Sequence, residues 1–325
     1  MYLKPEIILI YMKEVLVTGG LGFIGSTLVE KLINQGSKVT VFDNLIKGSV
    51  ENIKPLINEG KVKLIKGDLL KNHDTEEIKG NFDTVFHLAA NPEVKKENPG
   101  VHFEENIHAT YNLLEFMRKH NIKNIAFTST STVYGEAKKI PTPEDYFPLM
   151  PISFYGASKL ACENLITAFC HNYGFKAHIF RLANIVGHRA SLGVVPDFVK
   201  KLKADSNKLE ILGDGTQDKS YMHVEDCVDA MLFALEKSNE KINIFNVGSE
   251  DKVKVIDIAK IVSEELGFKN VDFTFTGGVN GGRGWKGDIK LMQLSIDKIK
   301  KLGWKPKYNS RETVKKTVND LKAFF

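Results

Sequence analysis

Cysteine is scarce in this sequence of 325 residues. Its three cysteines, Cys162, Cys170 and Cys227, are too few and too scattered for a disulfide framework, and no Cys-x-x-Cys pair indicates a redox or zinc centre. The nine histidines include no His-x3-His pair and no cluster with cysteine, so we expect no metal site. This cysteine usage is typical of a reduced compartment and predicts a cytoplasmic protein.

Long hydrophobic runs are also missing. The opening stretch, residues 1–11, holds a five-residue apolar run that ends at Tyr11, shorter than a signal-peptide core and far shorter than a membrane span. Met12 directly precedes the first strand pattern. We therefore interpret residues 1–11 as an N-terminal extension with no part in the chemistry, and we expect no membrane partner.

The charged residues form no block of one sign. The net charge is +5, and lysines alternate with acidic residues along the chain, so we expect no nucleic-acid partner. Only five of the 45 basic residues are Arg, so an Arg inside a motif is more informative than a Lys. Hydrophobic residues make up 42% of the chain, enough for one sizeable core beside a smaller lobe.

From Glu14 onward, short β-branched runs alternate with longer amphipathic stretches, which is typical of a parallel sheet wrapped by helices. The predicted strands of this part are residues 14–18, 38–42, 62–66, 84–87, 124–128 and 177–182. Its predicted helices are residues 24–34, 103–119 and 155–170. The pattern predicts an α/β protein with a doubly wound, Rossmann-type parallel sheet in residues 12–186.

After Gly187 the pattern loosens into shorter elements. The predicted helices here are residues 197–204, 225–236, 255–266 and 296–301, and the predicted strands are residues 209–212 and 242–247. We assign residues 187–325 mainly to a smaller mixed α/β lobe. Residues 277–287 hold six glycines with Arg283 and Trp285, which indicates either a flexible binding loop or a plain mobile loop.

A glycine-rich run follows the first strand and opens the first helix. Gly19, Gly22 and Gly25 have the spacing Gly-x-x-Gly-x-x-Gly, with Phe23 and Ile24 between the last two. Glycine permits a tight turn and lets the backbone approach a pyrophosphate, while the helix N-terminus offers free N–H groups. We predict that these five residues bind a dinucleotide.

Asp43 ends the second predicted strand, eighteen residues after Gly25. A carboxylate there can accept both hydroxyls of an adenine ribose, which favours NAD over NADP, although an Asp that caps the next turn is the alternative. Asp68 follows the third strand and could reach the adenine edge in the same way. A turn Asp is about as good an interpretation of Asp68.

Tyr155 and Lys159 form a Tyr-x3-Lys pair, which places both side chains on one face of a helix. A second such pair, Tyr134 with Lys138, lies in a predicted turn shortly before Pro141, so we favour the pair at Tyr155, which begins a long helical pattern. Catalysis would need a phenolate near neutral pH. We expect Lys159 to lower the pKa of Tyr155 so that Tyr155 can act as a general base.

These motifs, taken together, resemble one known family. The resemblance runs from about Met12 to Trp304 and depends on residues 18–25, Asp43-Asn44, residues 87–90, residues 128–135, Tyr155-x3-Lys159 and residues 181–184. It is to the nucleotide-sugar epimerases and dehydratases of the extended short-chain dehydrogenase/reductase group, most closely the UDP-glucose 4-epimerases. The resemblance implies NAD as cofactor and a nucleotide-sugar substrate bound mainly by the C-terminal lobe. It also implies a homodimer formed by the two helices 103–119 and 155–170, although burial of their apolar faces within the subunit is an equal alternative.

The resemblance also assigns residues to the cofactor and to catalysis. The catalytic hydroxyl would be Thr130, with Ser129 and Ser131 as neighbouring alternatives. The residues it places at the cofactor, beyond those predicted above, are Asn44, Leu69, Leu88, Ala89, Ala90 and Asn106. Of these, residues 88–90 would lie under the nicotinamide and Asn106 would brace the backbone of the active site.

For the substrate, the resemblance points to three side chains. Asn184 would contact the phosphate or the sugar, and Lys219 stands where the family usually has a diphosphate-binding Arg, so the bidentate fork is lost. Arg283 would supply a second cation, at a longer spacing from Asp288 than usual. Met292 lies near the position that selects sugar size.

The reaction that the resemblance implies is 4-epimerisation of a UDP-hexose through a 4-keto intermediate. A 4,6-dehydratase, a decarboxylase or another epimerase of the same family is the alternative, and a non-catalytic NAD-binding sensor is a more distant one. Ser131 and Thr132 follow Thr130 where dehydratases and decarboxylases of this fold carry a Glu, and neither hydroxyl titrates near neutral pH. Glu93 or Glu136 could supply the missing carboxylate from elsewhere.

Overall fold

A computed structural model describes residues 12–94 and 98–322 of the chain. The predicted N-terminal extension, residues 1–11, lies outside the described residues. In the two stretches that are described, no helix is both long enough and apolar enough to cross a lipid bilayer.

Strands and helices alternate along most of the chain. The strands, numbered in chain order, are β1 (Glu14–Thr18), β2 (Lys38–Asp43), β3 (Val62–Lys66), β4 (Thr84–His87), β5 (Asn124–Thr130), β6 (Lys176–Leu182), β7 (Asn184–Val186), β8 (Lys208–Ile211), β9 (Asp218–Lys219), β10 (Tyr221–His223), β11 (Ile242–Val247), β12 (Val253–Lys254), β13 (Asp272–Phe275) and β14 (Leu291–Met292). The α-helices are α1 (Phe23–Asn34), α2 (Lys54–Asn58), α3 (Asn72–Glu76), α4 (Pro99–His102), α5 (Ala109–Lys119), α6 (Phe154–Tyr173), α7 (Val194–Ala204), α8 (Val224–Lys237), α9 (Val255–Leu266), α10 (Asp297–Lys301) and α11 (Ser310–Lys322). A π-helical segment, Phe103–His108, joins α4 to α5.

Seven parallel strands form the central sheet in the order β11-β6-β5-β4-β1-β2-β3. Successive residues of β1 enter different cores, because side chains alternate along a strand. Val15 and Val17 pack with α1 and α8 on one face, and Leu16 packs with α5 and α6 on the other. Helices therefore cover both faces of the sheet. The predicted doubly wound α/β fold is confirmed.

The strand at one edge of this sheet corrects the sequence analysis. Residues 242–247 were predicted to be a strand of the C-terminal lobe, but β11 pairs in parallel with β6, from Ile242 opposite Ala177 to Val247 opposite Leu182. Helix α8, which precedes β11, packs on α1, and Lys31 forms an ion pair with Asp229 at 2.6 Å. The chain thus returns to the central sheet after a first excursion into the lobe.

The lobe is built from short strands and three packed helices. Its small sheets pair β10 with β7, β9 with both β12 and β14, and β13 with β8. Its core lies between α7, α9 and α11. Helix α11 was not predicted from the sequence, because Ser310, Thr313 and Thr317 occupy buried positions on the same face as Val314 and Val318 and weaken the apolar pattern.

Candidate active site

The turn between β1 and α1 has room for a dinucleotide phosphate. Gly19 has φ of +72°, and a Cβ there would lie 2.6 Å from the Ala89 nitrogen. A Cβ on Gly25 would lie 2.1 Å from the Gly19 oxygen, whereas one on Gly22 would lie 3.3 Å from that atom. Gly19 and Gly25 are therefore needed for the packing of the turn, and Gly22 has the most space beside it.

Helix α1 begins directly after this turn. Its N-cap residue is Gly22, and within the described chain no side chain caps the helix. The first N–H groups, those of Phe23, Ile24 and Gly25, thus point out of the helix end without a capping oxygen. The partial positive charge of a helix N-terminus favours a phosphate there. The glycine turn and helix end fit a bound dinucleotide.

Asp43 lies at the end of β2 and is buried. Its Oδ2 accepts a hydrogen bond from the Leu21 N–H at 3.0 Å and its Oδ1 accepts one from the Leu45 N–H at 2.9 Å. Burial raises the pKa of this carboxyl from its ordinary value. Asp43 therefore does cap the turn, as the alternative interpretation stated. Each oxygen can accept a second hydrogen bond, so the ribose role remains a prediction.

The other residues predicted around the adenosine also make local contacts. Asn44 is exposed, and its Oδ1 accepts a hydrogen bond from the Ile46 N–H at 3.1 Å. Asp68 accepts one from the Leu70 N–H at 3.0 Å, the contact of a turn Asp. The buried Leu69 receives a hydrogen bond on its carbonyl oxygen from Asn112.

The strand end after β4 is held by Asn106, which lies in the π-helical segment. The Leu88 N–H donates to the Thr18 carbonyl at 3.0 Å and continues the pairing of β4 with β1, and Ala89 and Ala90 follow it. Asn106 Oδ1 accepts a hydrogen bond from the Asn91 N–H at 2.7 Å, and Nδ2 donates to Ser158 Oγ at 2.9 Å. Asn106 therefore ties this loop to helix α6.

Helix α6 carries Tyr155 and Lys159, and its N-cap Ser153 accepts a hydrogen bond from the Gly156 N–H at 3.1 Å. The Tyr155 side chain interacts with Thr130, the last residue of β5, and this interaction favours a lower pKa of the Tyr155 hydroxyl. Lys159 is buried with its Nζ 4.1 Å from the centre of the Phe127 ring. The structure thus places Thr130 against Tyr155, with Lys159 one turn further along the same helix.

Thr130 is distinguished from its two hydroxyl neighbours by these contacts. Ser129 donates its hydroxyl to Glu163, further along α6, and Ser131 is buried at the start of a 3-10 turn. Thr130 Oγ1 lies 3.1 Å from Thr132 Oγ1 as well as bonding to Tyr155.

The charge states of Tyr155 and Lys159 differ from the expectation. Burial raises the pKa of Tyr155 to about 12, and the Thr130 hydrogen bond offsets only part of that rise. The same burial lowers the pKa of Lys159 to about 8. The predicted lowering of the Tyr155 pKa by Lys159 was wrong for the protein alone, because removal from water disfavours both phenolate and ammonium.

The second Tyr-x3-Lys pair does not form a catalytic dyad. The buried Tyr134 donates its hydroxyl to Asn246 Oδ1 at 2.7 Å and accepts a hydrogen bond from Arg181 Nη1 at 3.0 Å. Lys138 is exposed and follows Gly135, whose φ of +61° ends the 3-10 turn. The helical face that would join the pair is therefore absent from this described segment.

Lys219 and Arg283, far apart in the sequence, both contact Asp288. Lys219 Nζ lies 2.6 Å from Asp288 Oδ1 and 5.5 Å from the Trp285 ring centre, and Arg283 Nε donates to the Asp288 carbonyl oxygen at 3.0 Å. Arg283 also forms an ion pair with Glu136. The sequence analysis did not assign a role to Asp288, although its place beside Arg283 was a signal.

The remaining predicted substrate residue, Asn184, lies at the start of β7. Its Nδ2 donates to the Ser220 carbonyl oxygen at 3.0 Å, which links Asn184 to the residue that follows Lys219. The substrate roles of Asn184, Lys219 and Arg283 remain predictions.

One group of possible metal ligands lies outside this site. Single ligand atoms of His188, His223 and Asp320 all lie within 4.8 Å of one another. His223 Nε2 is 2.9 Å from Asp320 Oδ2, and Nδ1 accepts a hydrogen bond from the Glu225 N–H. Both ring nitrogens of His223 are therefore engaged, and we assign no metal to the group. That the chain holds no metal remains a prediction.

Comparisons with known proteins indicate the family of this chain. The sequence profile of the NAD dependent epimerase/dehydratase family matches residues 15–248. The chain is 32% identical to a UDP-glucose 4-epimerase of Corynebacterium glutamicum, over 96% of this chain and 95% of that protein. It is 30% identical to UDP-glucuronic acid decarboxylase 1 of Arabidopsis thaliana, over 95% of this chain and 70% of that protein. A solved structure of a UDP-galactose 4-epimerase is similar with a TM-score of 0.86 and 42% identity, covering 96% of this chain and 99% of that one.

The sheet, the glycine turn and the group of Thr130, Tyr155 and Lys159 define an extended short-chain dehydrogenase/reductase. Within that class, the chain belongs to the NAD dependent epimerase/dehydratase family. It is an enzyme of the nucleotide-sugar epimerase type, and NAD is its cofactor. The resemblance found in the sequence is confirmed.

We expect Tyr155→Phe to keep the fold and NAD binding while the reaction rate falls roughly 10²- to 10⁴-fold, the usual contribution of a positioned general base. Tyr134→Phe removes a buried hydroxyl that touches no predicted catalytic group, so it should change the rate much less. Steady-state rates and thermal unfolding of both variants measure this. A larger rate loss in Tyr134→Phe would show that the wrong pair has been chosen.

We expect NAD to bind at least about tenfold more tightly than NADP, a difference of about 1.4 kcal/mol or more. The reason is that a 2′-phosphate beside the Asp43 carboxylate would place like charges together. Titration calorimetry with each cofactor measures the two affinities. Equal affinities would leave Asp43 with only its contacts to Leu21 and Leu45.

Proposed function

We propose that this enzyme catalyses the NAD-dependent 4-epimerisation of a UDP-hexose of the UDP-glucose and UDP-galactose type. The observation that carries the proposal is the interaction of Thr130 with Tyr155, one helical turn before the buried Lys159. These side chains lie at the carboxyl edge of the central sheet, where ligands of open α/β folds bind. The relatives named as UDP-glucose and UDP-galactose 4-epimerases support the choice of sugar.

In the proposed mechanism, Tyr155 takes the proton of the sugar 4-hydroxyl and later returns one to the 4-keto sugar. Thr130 donates a hydrogen bond that stabilises the phenolate, and Lys159 adds positive charge nearby. NAD, when bound, supplies the hydride acceptor and donor. Lys219 and Arg283 would hold the diphosphate, since both present cationic groups at Asp288.

Epimerisation is favoured over dehydration and decarboxylation by what surrounds Thr130. The next two residues are hydroxyl side chains, and Thr132 Oγ1 is engaged with Thr130 Oγ1. The two carboxylates that could replace a missing Glu both have cationic partners, Glu93 with Lys47 and Glu136 with Arg283. The two positions after Thr130 therefore hold no carboxylate that could remove the C5 proton of a 4-keto sugar.

We further propose that the protein is a cytoplasmic homodimer. Phe103 and Tyr111, on the π-helical segment and α5, are 55% and 46% exposed, and they flank Ile107 and Leu165 in one shallow apolar groove. Apolar side chains grouped on one helical face favour contact with a second protein surface. A second copy presenting the same two helices would cover them. The buried thiols of Cys162, Cys170 and Cys227 are unpaired, as expected in a reducing compartment.

We expect incubation with UDP-glucose to give a product of unchanged mass, UDP-galactose, because hydride returns to either face of the 4-keto sugar. The measurement is NMR and mass spectrometry after incubation with UDP-glucose, UDP-N-acetylglucosamine, UDP-glucuronate and TDP-glucose, with Tyr155→Phe as the inactive control. A product lighter by one water or one carbon dioxide would replace the proposal by dehydration or decarboxylation.

We expect Tyr111→Arg to shift the protein from dimer to monomer, because two copies of the charge would be buried in the proposed interface. Size-exclusion chromatography with light scattering measures the mass of each form. Phe147→Arg, at a more exposed apolar position in the loop before α6, is the matched control and should leave the mass unchanged. A monomeric wild type, or a dimeric Tyr111→Arg variant, would contradict the proposed interface.

A further inference from the structure

A buried ion pair lies one helical turn beyond Lys159. Glu163 on α6 pairs with Arg181 on β6 through three contacts, Nη2 to Oε2 at 2.7 Å, Nε to Oε1 at 3.1 Å and Nε to Oε2 at 3.2 Å. The two side chains are only 5% and 4% exposed. Ser129 donates its hydroxyl to the same carboxylate. A buried pair with this many contacts is held in one geometry.

The remaining donors of Arg181 reach the chain on the other side of Thr130. Nη1 donates to the Tyr134 hydroxyl at 3.0 Å and to the Glu144 carbonyl oxygen at 3.1 Å. The segment that carries Thr130 is therefore fixed before it, at Ser129, and after it, at Tyr134. Both attachments lead to the same ion pair.

The spacing on α6 creates an electrostatic conflict that Arg181 resolves. Tyr155, Lys159 and Glu163 are four residues apart, so they share one helical face, and a Lys and Glu at this spacing commonly form an ion pair. In the described part of the chain, Lys159 Nζ has no carboxylate within 4.0 Å. The Glu163 carboxylate is occupied by Arg181 and Ser129 instead.

We propose that Glu163 and Arg181 are positioning residues: their ion pair fixes the strand end that carries Thr130 and keeps the Glu163 carboxylate from neutralising Lys159. This proposal rests on the proposed function, since it assigns Lys159 a charge that serves Tyr155. An ion pair whose charges do not reach Lys159 would stabilise the fold but would leave the titration of Lys159 unchanged.

Few other groups around Lys159 would change charge at neutral pH. The titratable groups that face it or the ion pair are Tyr155 and Cys162 on α6, His87 on β4, Tyr134 after β5 and Glu144 in the following loop. Burial keeps the pKa of His87 at about 3 and that of Tyr134 at about 12, and it raises the pKa of Cys162. The Glu144 carboxylate accepts a hydrogen bond from the Asn246 N–H. Arg181 donates to the backbone oxygen of Glu144 and not to its carboxylate.

The test is the titration of Lys159 by lysine side-chain NMR in the full chain with NAD bound, its signal assigned with Lys159→Met. Glu163→Gln should lower the Lys159 midpoint by about one pH unit, because the Arg181 charge then acts on Lys159 without the compensating Glu163 carboxylate. A change of one unit charge within ~10 Å has an effect of this size at an effective dielectric near 20. Arg181→Met should raise it by a similar amount, and the double variant should return it towards the wild-type value.

Asp257→Asn and Arg311→Met are matched controls, because that pair lies on the surface of the C-terminal lobe. Glu163→Gln can keep hydrogen bonds to Ser129 and Arg181, so it tests the proposal even if Arg181→Met does not fold. A Lys159 midpoint that moves no more in Glu163→Gln than in the controls would overturn the proposal. The NMR readout needs no substrate. An incorrect substrate assignment would therefore appear separately, as a folded protein that shows the expected Lys159 shifts but forms no product from the sugars tested.

The second readout is the acid limb of the plot of kcat/KM against pH. It should move down in pH for Glu163→Gln and up for Arg181→Met, in parallel with Lys159. An equal loss of rate at every pH, without movement of the limb, would assign the pair to folding alone.

Discussion

Burial of Tyr155 and Lys159 disfavours the charged form of both side chains, and the rest of the site is arranged around that constraint. Proton transfer needs at least one of them charged, yet the surrounding apolar packing withdraws water from both. The Thr130 hydrogen bond favours the phenolate. His87, hydrogen bonded to Thr18 and Thr110 and held neutral, takes no part in the charge balance. Glu163, the carboxylate one helical turn beyond Lys159, is matched by its own cation.

Much of the fold and the cofactor site could be predicted from the sequence, because their determinants are local. Gly19 and Gly25 are required by contacts between residues near in sequence or on the adjacent strand. The Tyr155 and Lys159 geometry follows from helical spacing once the helix is recognised. Likewise, the apolar β1 could be assigned because both its faces are buried.

What could not be predicted depends on contacts between distant segments. No periodicity distinguishes a strand that returns to the central sheet, as β11 does, from one that stays in the lobe. The pairing of Arg181 with Glu163 also could not be predicted, because the two residues lie on different elements. Arg181 begins the motif of residues 181–184, and Glu163 lies one helical turn after Lys159. The pKa of Tyr155 was misjudged because the sequence shows the nearby Lys159 but not the depth of burial that opposes it.

The two cations of the substrate lobe differ in a way that bears on how a diphosphate would bind. Lys219 is nearly buried and paired with the buried Asp288, so separating it would leave a carboxylate without its partner at considerable cost. Arg283 is paired instead with Glu136, which is half exposed, and such surface pairs contribute little. Under the proposed function, an entering diphosphate can displace Glu136 from Arg283 while Lys219 stays in place. Arg283 would then form the new contact with the diphosphate, and Lys219 would contribute positive charge from a fixed position.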